Sequence, residues 1–295
     1  MRKFLIVIFC TTLLFVGLAH FKPTTASEST NSDRAHLQSE IMTDLHRGDS
    51  PIASPAVLSM DHLDVTAEDV TYGEIDGTPL TGYLAQPTKV NADSPFPGVI
   101  VIQEWWGLNE NIEAMTQRLA AEGYTALAVD LYDDQVADTP EQARELVQAA
   151  LANPDRLTQN VVAAYNYLTT TMAAPTVASL GWCFGGTWSL NTALALPDQL
   201  DAAVIYYGGG ITTDQDRLVT LNMPIQGHFG LLDTNPSPEI VLEFERVLNS
   251  AGKTAQIYLY ANAGHAFANP SGTRYNEAAA ELAWDRTVDF LKQNL

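Results

Sequence analysis

Gly181-Trp182-Cys183-Phe184-Gly185-Gly186 sets a cysteine between two glycines, after the apolar run Thr176 to Leu180 and before the helix-like run Thr187 to Leu196. A strand that turns this sharply into a helix needs small residues on both sides of the turn, and it holds the residue at the tip in a strained conformation. The helix behind the tip points its first N–H groups at it, where they favour a thiolate and can hold an oxyanion. The chemistry that suits this arrangement is attack by Cys183 on a carbonyl. Taken alone, Gly-x-Cys-x-Gly also suits a buried cysteine in a glycine-rich turn, so the reading depends on partners. His265, in Gly264-His265-Ala266-Phe267, would take the thiol proton or hold the thiolate as an ion pair, then protonate the leaving group. Asp233, in Gly230-Leu231-Leu232-Asp233, would accept a hydrogen bond from the other imidazole nitrogen and fix its tautomer. Glu239 is the alternative orienting group. Glu104, which leads Trp105-Trp106-Gly107, is a carboxylate that could hydrogen-bond the thiol and keep it protonated until substrate arrives. Its alternative is a structural ion pair. The backbone N–H groups of Trp105 and Phe184 are the candidates for an oxyanion hole.

The elements that must position these residues can be read from hydrophobic pattern. Val70 to Ile75 alternates with period two, Asp76-Gly77 signals a hairpin, and Leu80 to Leu84 returns as a second strand. Gly98 to Gln103 is a continuous apolar run, as a buried parallel strand should be. Further strands are expected at Tyr124 to Val129, Val177 to Leu180, Ala202 to Tyr207, Ile225 to Phe229 and Ala255 to Tyr260. Helices are expected from Asn109 to Glu122, Pro140 to Leu151, Asp155 to Thr170, Pro238 to Asn249 and Glu277 to Leu291. This alternation predicts an α/β fold, a mostly parallel sheet with helices on both faces, in one domain over residues 60–295. In such sheets ligands bind at the carboxyl ends of the strands. Cys183, Asp233 and His265 each fall just after a strand, in the chain order nucleophile, acid, base. His228 lies within a strand and is read as a packed side chain; His36, His46 and His62 are set aside as belonging to or lying near a linker. No metal-ligand spacing is present, and no phosphate-binding loop, so neither a metal nor a cofactor is expected.

The chain has 295 residues, 46% of them hydrophobic, and a net charge of −20. That is enough for one large core, and the acidity argues against nucleic acid and anionic membrane surfaces as partners. Arg2 and Lys3, the apolar stretch Phe4 to Ala19 and the small residues Thr24 and Ala26 read as a signal peptide over residues 1–26, hence a protein exported to the periplasm or beyond. An uncleaved membrane anchor is the alternative, although the apolar run is shorter than the ~20 residues of a full span. Cleavage would remove Cys10 and leave Cys183 as the one cysteine of the mature chain, an oxidation liability unless it is buried or used. Residues 27–59 read as a polar linker with one short helix, Leu37 to Leu45. A monomer with a small-molecule substrate is expected, with no stable membrane span once the leader is gone.

Gln103-Glu104-Trp105-Trp106-Gly107, Asp130-Leu131-Tyr132, Gly181-Trp182-Cys183-Phe184-Gly185-Gly186, Asp233 and Gly264-His265-Ala266-Phe267 together resemble the dienelactone hydrolase family of α/β-hydrolases, over roughly Tyr72 to Leu295. The resemblance implies an α/β-hydrolase fold, a Cys-His-Asp triad carried by Cys183, His265 and Asp233, modulation of the thiol by Glu104, and cofactor-free opening of small cyclic enol esters. It also marks Arg144 and Asn269 as substrate-binding positions, and Trp106, with Trp105, is read as an apolar wall of the substrate pocket. The enzyme that names the family places an arginine four residues after the histidine, where this chain has Asn269; for a second arginine this chain offers only Arg144. Fewer cations in an acidic protein should weaken binding of an anionic dienelactone. The leading expectation is therefore a cysteine-dependent hydrolase of small carboxylic esters or lactones. Its alternatives are a broad-specificity esterase on neutral esters and a non-catalytic or redox-sensing scaffold.

Overall fold

A computed structural model describes Thr43, His46, Asp49 and residues 64–88 and 95–295. The expected leader, and most of the expected linker with its short helix, lie outside these residues. Within the helix expected over Leu37 to Leu45, Thr43 is described and is helical.

The strands are β1 (Val65–Ile75), β2 (Thr78–Pro87), β3 (Gly98–Ile102), β4 (Thr125–Val129), β5 (Val177–Trp182), β6 (Ala202–Tyr206), β7 (Ile225–Gly230) and β8 (Ala255–Tyr260). They form one sheet in the order β1-β2-β4-β3-β5-β6-β7-β8. The β1–β2 hairpin and the β2–β4 pair are antiparallel, and every pairing from β4 through β3 to β8 is parallel. The helices are α1 (Glu110–Ala121), α2 (Pro140–Leu151), α3 (Pro154–Thr170), α4 (Phe184–Ala195), α5 (Gln215–Leu218), α6 (Pro238–Ser250) and α7 (Glu277–Asn294).

The central strands are apolar on both faces, and period two divides them between two cores. Ile100, Ile102, Leu127, Val129 and Ile205 pack with Leu157 and Val161 of α3, Trp188 of α4 and Phe244 of α6. Val99, Val101, Ala128, Leu180 and Val204 pack with Ile112 and Leu119 of α1 and Trp284, Val288 and Leu291 of α7. Helix starts follow local chemistry. The Asn109 side chain accepts from the Ile112 N–H at α1, and Thr139 and Asn153 do the same at α2 and α3, each with proline in the first turn.

The expected elements match observed ones to within a few residues, the one-turn helix α5 being unexpected, and two differences are informative. Strand β1 begins at Val65, because its outer half is held by backbone pairing to β2 rather than by an apolar face. Helix α4 begins at Phe184, so Gly185 and Gly186 form its first turn. That placement depends on the glycines. A Cβ on Gly185 would run into the carbonyl oxygens of Ile102 and Gln103, and one on Gly181 into the carbonyl of Gly185. Helix α4 thus sits against the end of β3, with its N-terminus behind Cys183.

Candidate active site

Cys183 sits between β5 and α4 with φ 56° and ψ −114°, a left-handed conformation that costs a non-glycine residue on the order of 1–3 kcal/mol and persists only where surrounding structure enforces it. Here the Cys183 N–H donates to the Tyr206 carbonyl at 3.0 Å and the Cys183 carbonyl accepts from Thr187 at 3.1 Å. Two loops bring partners to the sulfur. The turn after β7 carries Asp233 and the turn after β8 carries His265; they are tied together by Leu231 N–H to Tyr260 O and Leu232 N–H to Ala263 O, both 2.9 Å. His265 Nε2 lies 3.2 Å from Cys183 Sγ, and His265 Nδ1 lies 2.9 Å from Asp233 Oδ2. The second Asp233 oxygen accepts from the Asn235 N–H at 2.8 Å. The carboxylate on Nδ1 keeps a proton on that nitrogen, and Nε2 faces the sulfur, where it can carry the proton exchanged with the thiol.

Glu104 follows β3 and is 4% exposed. Its oxygens go to Tyr207 Oη at 3.3 Å and Asn269 Nδ2 at 2.5 Å, both donating. Asn269, expected to face substrate, is therefore engaged in holding Glu104. Arg144 lies half-buried on α2, and among the described residues it makes no hydrogen bond or ion pair to any other candidate. The structure gathers Cys183, Asp233, His265 and Glu104 and leaves Arg144 apart. Trp105 and Trp106 are fully buried with ring centroids 5.0 Å apart. Among the described residues the N–H groups of Trp105 and Phe184 donate to no backbone carbonyl. His228 is a packed side chain as expected, hydrogen-bonded to Tyr260 Oη at 2.8 Å and Gln226 Oε1 at 2.9 Å.

The sequence reading missed His46, set aside as a linker residue. Its ring stacks on Trp105 at 4.5 Å between centroids and meets His265 edge-on at 5.3 Å. Nε2 is 3.7 Å from Cys183 Sγ, and Nδ1 is 2.9 Å from Asp49 Oδ2. Asp49 is fixed in turn by Arg274 Nη2 at 2.6 Å and by the N–H and hydroxyl of Thr273 at 2.8 and 2.6 Å. Cys183 and His265 are each 1% exposed, and His46 is 0% exposed. A cleft lined by Asp69, Thr81, Glu113, Asp130 and Asp134 among others contains none of the three. His46 lies against the sulfur, and the three side chains are closed off from solvent.

The site is electrostatically coupled. Burial pushes the Cys183 thiol up, but the charge and hydrogen bond of His265, with His46 in support, outweigh it and bring the thiol down to about 6. Burial likewise works against the His265 imidazolium, yet the thiolate and Asp233 raise it to about 10. His46 is raised above its ordinary value: burial opposes its charge, and the bonds to Asp49 and Cys183 prevail. Burial first, then the neighbouring thiolate, lift Glu104 to about 7.

A thiolate–imidazolium pair at a sharp strand-to-helix turn is equipped for acyl transfer. Residues 80–295 match the model of the dienelactone hydrolase family. A "Putative carboxymethylenebutenolidase" of Escherichia coli O157:H7 is 32% identical over 83% of this chain and 93% of its own. The crystal structure of a "Putative Dienelactone Hydrolase" from Klebsiella pneumoniae is 30% identical, with a TM-score of 0.67 over 78% of this chain and 99% of its own. A dienelactone hydrolase-like promiscuous phosphotriesterase from metagenomic libraries, at 23% identity and a TM-score of 0.71 over 78% of this chain and 99% of its own, shares the fold. The chain thus has the α/β-hydrolase fold, belongs to the dienelactone hydrolase family and is an ester or lactone hydrolase.

Proposed function

We propose that this hydrolase is cysteine-dependent and cleaves small carboxylic esters or lactones through an acyl-thioester on Cys183. The observation that carries the reading is the line Cys183 Sγ, His265 Nε2, His265 Nδ1, Asp233 Oδ2, with steps of 3.2 and 2.9 Å at the end of the sheet. The thiolate attacks the carbonyl carbon, and the oxyanion forms within reach of the Trp105 and Phe184 N–H groups. The tetrahedral adduct collapses to the thioester as His265 gives its proton to the departing oxygen. His265 then takes a proton from water, whose oxygen displaces Cys183 and completes the acid. Asp233 holds the imidazole in the one orientation that serves both steps. His46 rests against the sulfur, so substrate entry requires the His46 side chain to move aside. Trp106 contributes to an apolar wall.

Neutral esters are the favoured substrates. Asn269 is bound to Glu104, and Arg274 is neutralised by Asp49. A net charge of −20 adds long-range repulsion of anions. The leader reading adds that the protein acts after export, and a monomer is proposed separately; among the described residues no helix is long and apolar enough to cross a membrane. The test is hydrolysis of a panel holding dienelactone, a neutral lactone and short-chain nitrophenyl esters by the mature chain. Preference for the neutral members is the expected result; exclusive turnover of dienelactone overturns the substrate assignment, and turnover of none overturns the function.

The pH profile follows from the same pair. The active form carries a thiolate and an imidazolium. As pH rises through about 6 the thiol ionises and kcat/KM increases; as it rises through about 10, His265 loses the proton the leaving group needs and kcat/KM falls. A bell with a broad top between these limits is expected in chelator-containing buffer. An acid limb near the ordinary thiol value would show that His265 does not activate Cys183.

A further inference from the structure

We propose that His46, Cys183 and His265 form a zinc-binding site, in which the segment before the hydrolase domain supplies a ligand that the domain lacks. The three ligand atoms lie within 4.8 Å of one another and all three residues are buried. In a tetrahedral zinc site, Zn–S of about 2.3 Å and Zn–N of about 2.0–2.1 Å set sulfur and nitrogen about 3.6 Å apart. The observed separations from Cys183 Sγ are 3.2 Å to His265 Nε2 and 3.7 Å to His46 Nε2, on either side of that value. The two imidazole nitrogens lie within 4.8 Å of each other, and a tetrahedral site would hold them about 3.4 Å apart, so seating the ion draws the rings together.

The surroundings match as well as the ligands. Metal-binding imidazoles hand the proton on their second nitrogen to a carboxylate, which turns the free lone pair to the ion. Both imidazoles here do so through Nδ1, His265 to Asp233 and His46 to Asp49, each at 2.9 Å. The triad alone accounts for the first carboxylate–histidine pair. It gives no role to a second pair converging on the same sulfur, nor to the Thr273 and Arg274 bonds that fix Asp49. One thiolate and two imidazoles are the borderline-soft donors that select zinc over magnesium or calcium. On binding, Cys183 and the Nε2 atoms release to solvent whatever protons they carry. The ion would hold the nucleophile and its base together, so the zinc form is silent as a hydrolase and its lone thiol is shielded from oxidation.

The inference stands apart from the hydrolytic reading, because binding is measured without substrate. The mature protein is stripped with chelator and titrated with Zn²⁺ against a chromophoric chelator, and in parallel with Co²⁺ while thiolate-to-cobalt charge-transfer absorption is recorded. One ion per chain, with the charge-transfer band, is expected. His46→Ala should weaken zinc on the order of a hundredfold or more, and Asp49→Asn on the order of 10–100-fold. Zinc should also slow alkylation of Cys183 in the native protein and not in His46→Ala. His46→Gln gives the same comparison with the ring space more nearly filled, and thermal unfolding checks that each variant is folded. No stoichiometric binding, no charge-transfer band, or equal affinity in folded His46 variants overturns the site and leaves His46 as a side chain that merely covers the thiol. Zinc binding by a protein that hydrolyses no ester once stripped of metal would instead sink the hydrolytic proposal alone.

Discussion

Cys183→Ala lowers kcat/KM on every ester the protein turns over by on the order of 10⁴-fold or more. The size follows from what remains. Alanine keeps the backbone of the turn, the N-terminus of α4 and the two N–H groups proposed as oxyanion donors, so substrate should still bind and some transition-state charge should still be held. What is lost is the atom proposed to form the covalent intermediate, and water has no activated route to the carbonyl because His265 is aimed at the vacated sulfur position. Cys183 is nearly inaccessible, and its side chain contributes little packing volume, so the variant should fold and unfold much as the native chain does. Steady-state hydrolysis of the best panel ester, with a thermal unfolding curve as control, reads the effect. A variant that retains a tenth of the native rate would remove the thiol from the mechanism.

His265→Ala is expected to cost nearly as much, on the order of 10⁴-fold, and the double variant little more than either single one, because residues that act as a unit are not additive. The imidazolium is the leading influence that outweighs burial and brings the thiol to about 6. Without it the buried sulfur reverts towards the neutral thiol, and no acid remains for the leaving oxygen. His46 also faces the sulfur, beside His265 and stacked on Trp105, and Asp233 orients His265, whereas Asp49 holds His46. The pH dependence of Cys183 alkylation separates the two losses. In His265→Ala the reactive thiolate should appear at distinctly higher pH than in the native protein. An unmoved alkylation profile would show that His265 does not set the state of the sulfur.

Much of this arrangement was legible in the chain because it rests on local rules. Continuous apolar runs such as Gly98 to Ile102 announce strands buried on both faces, and Gly181 and Gly185 announce a turn in which backbone meets backbone. Asp233 and His265 were readable because topology, not side-chain detail, carries strand ends to one edge of the sheet. What was not legible depends on where distant segments fold back. His46 sits 137 residues from Cys183 in a polar stretch with no periodicity, and its docking depends on Arg274 and Thr273 near the other end of the chain. The His46-x-x-Asp49 spacing is a faint signal, meaningful only once both side chains are seen to meet partners. Asn269 was placed against substrate by its spacing from His265, yet it turns to Glu104, 165 residues away. The absence of metal-ligand spacing was read along the chain, whereas the three converging ligand atoms come from three separate segments.

The central claim is that Cys183 becomes acylated, and rapid acid quench of the protein with a short-chain nitrophenyl ester, followed by peptide mass spectrometry, tests it most directly. The account predicts an acyl adduct confined to the peptide containing Cys183, released by hydroxylamine and absent from Cys183→Ala. Turnover of the ester with no adduct on that peptide, or an adduct on another residue that persists in Cys183→Ala together with activity, would contradict it.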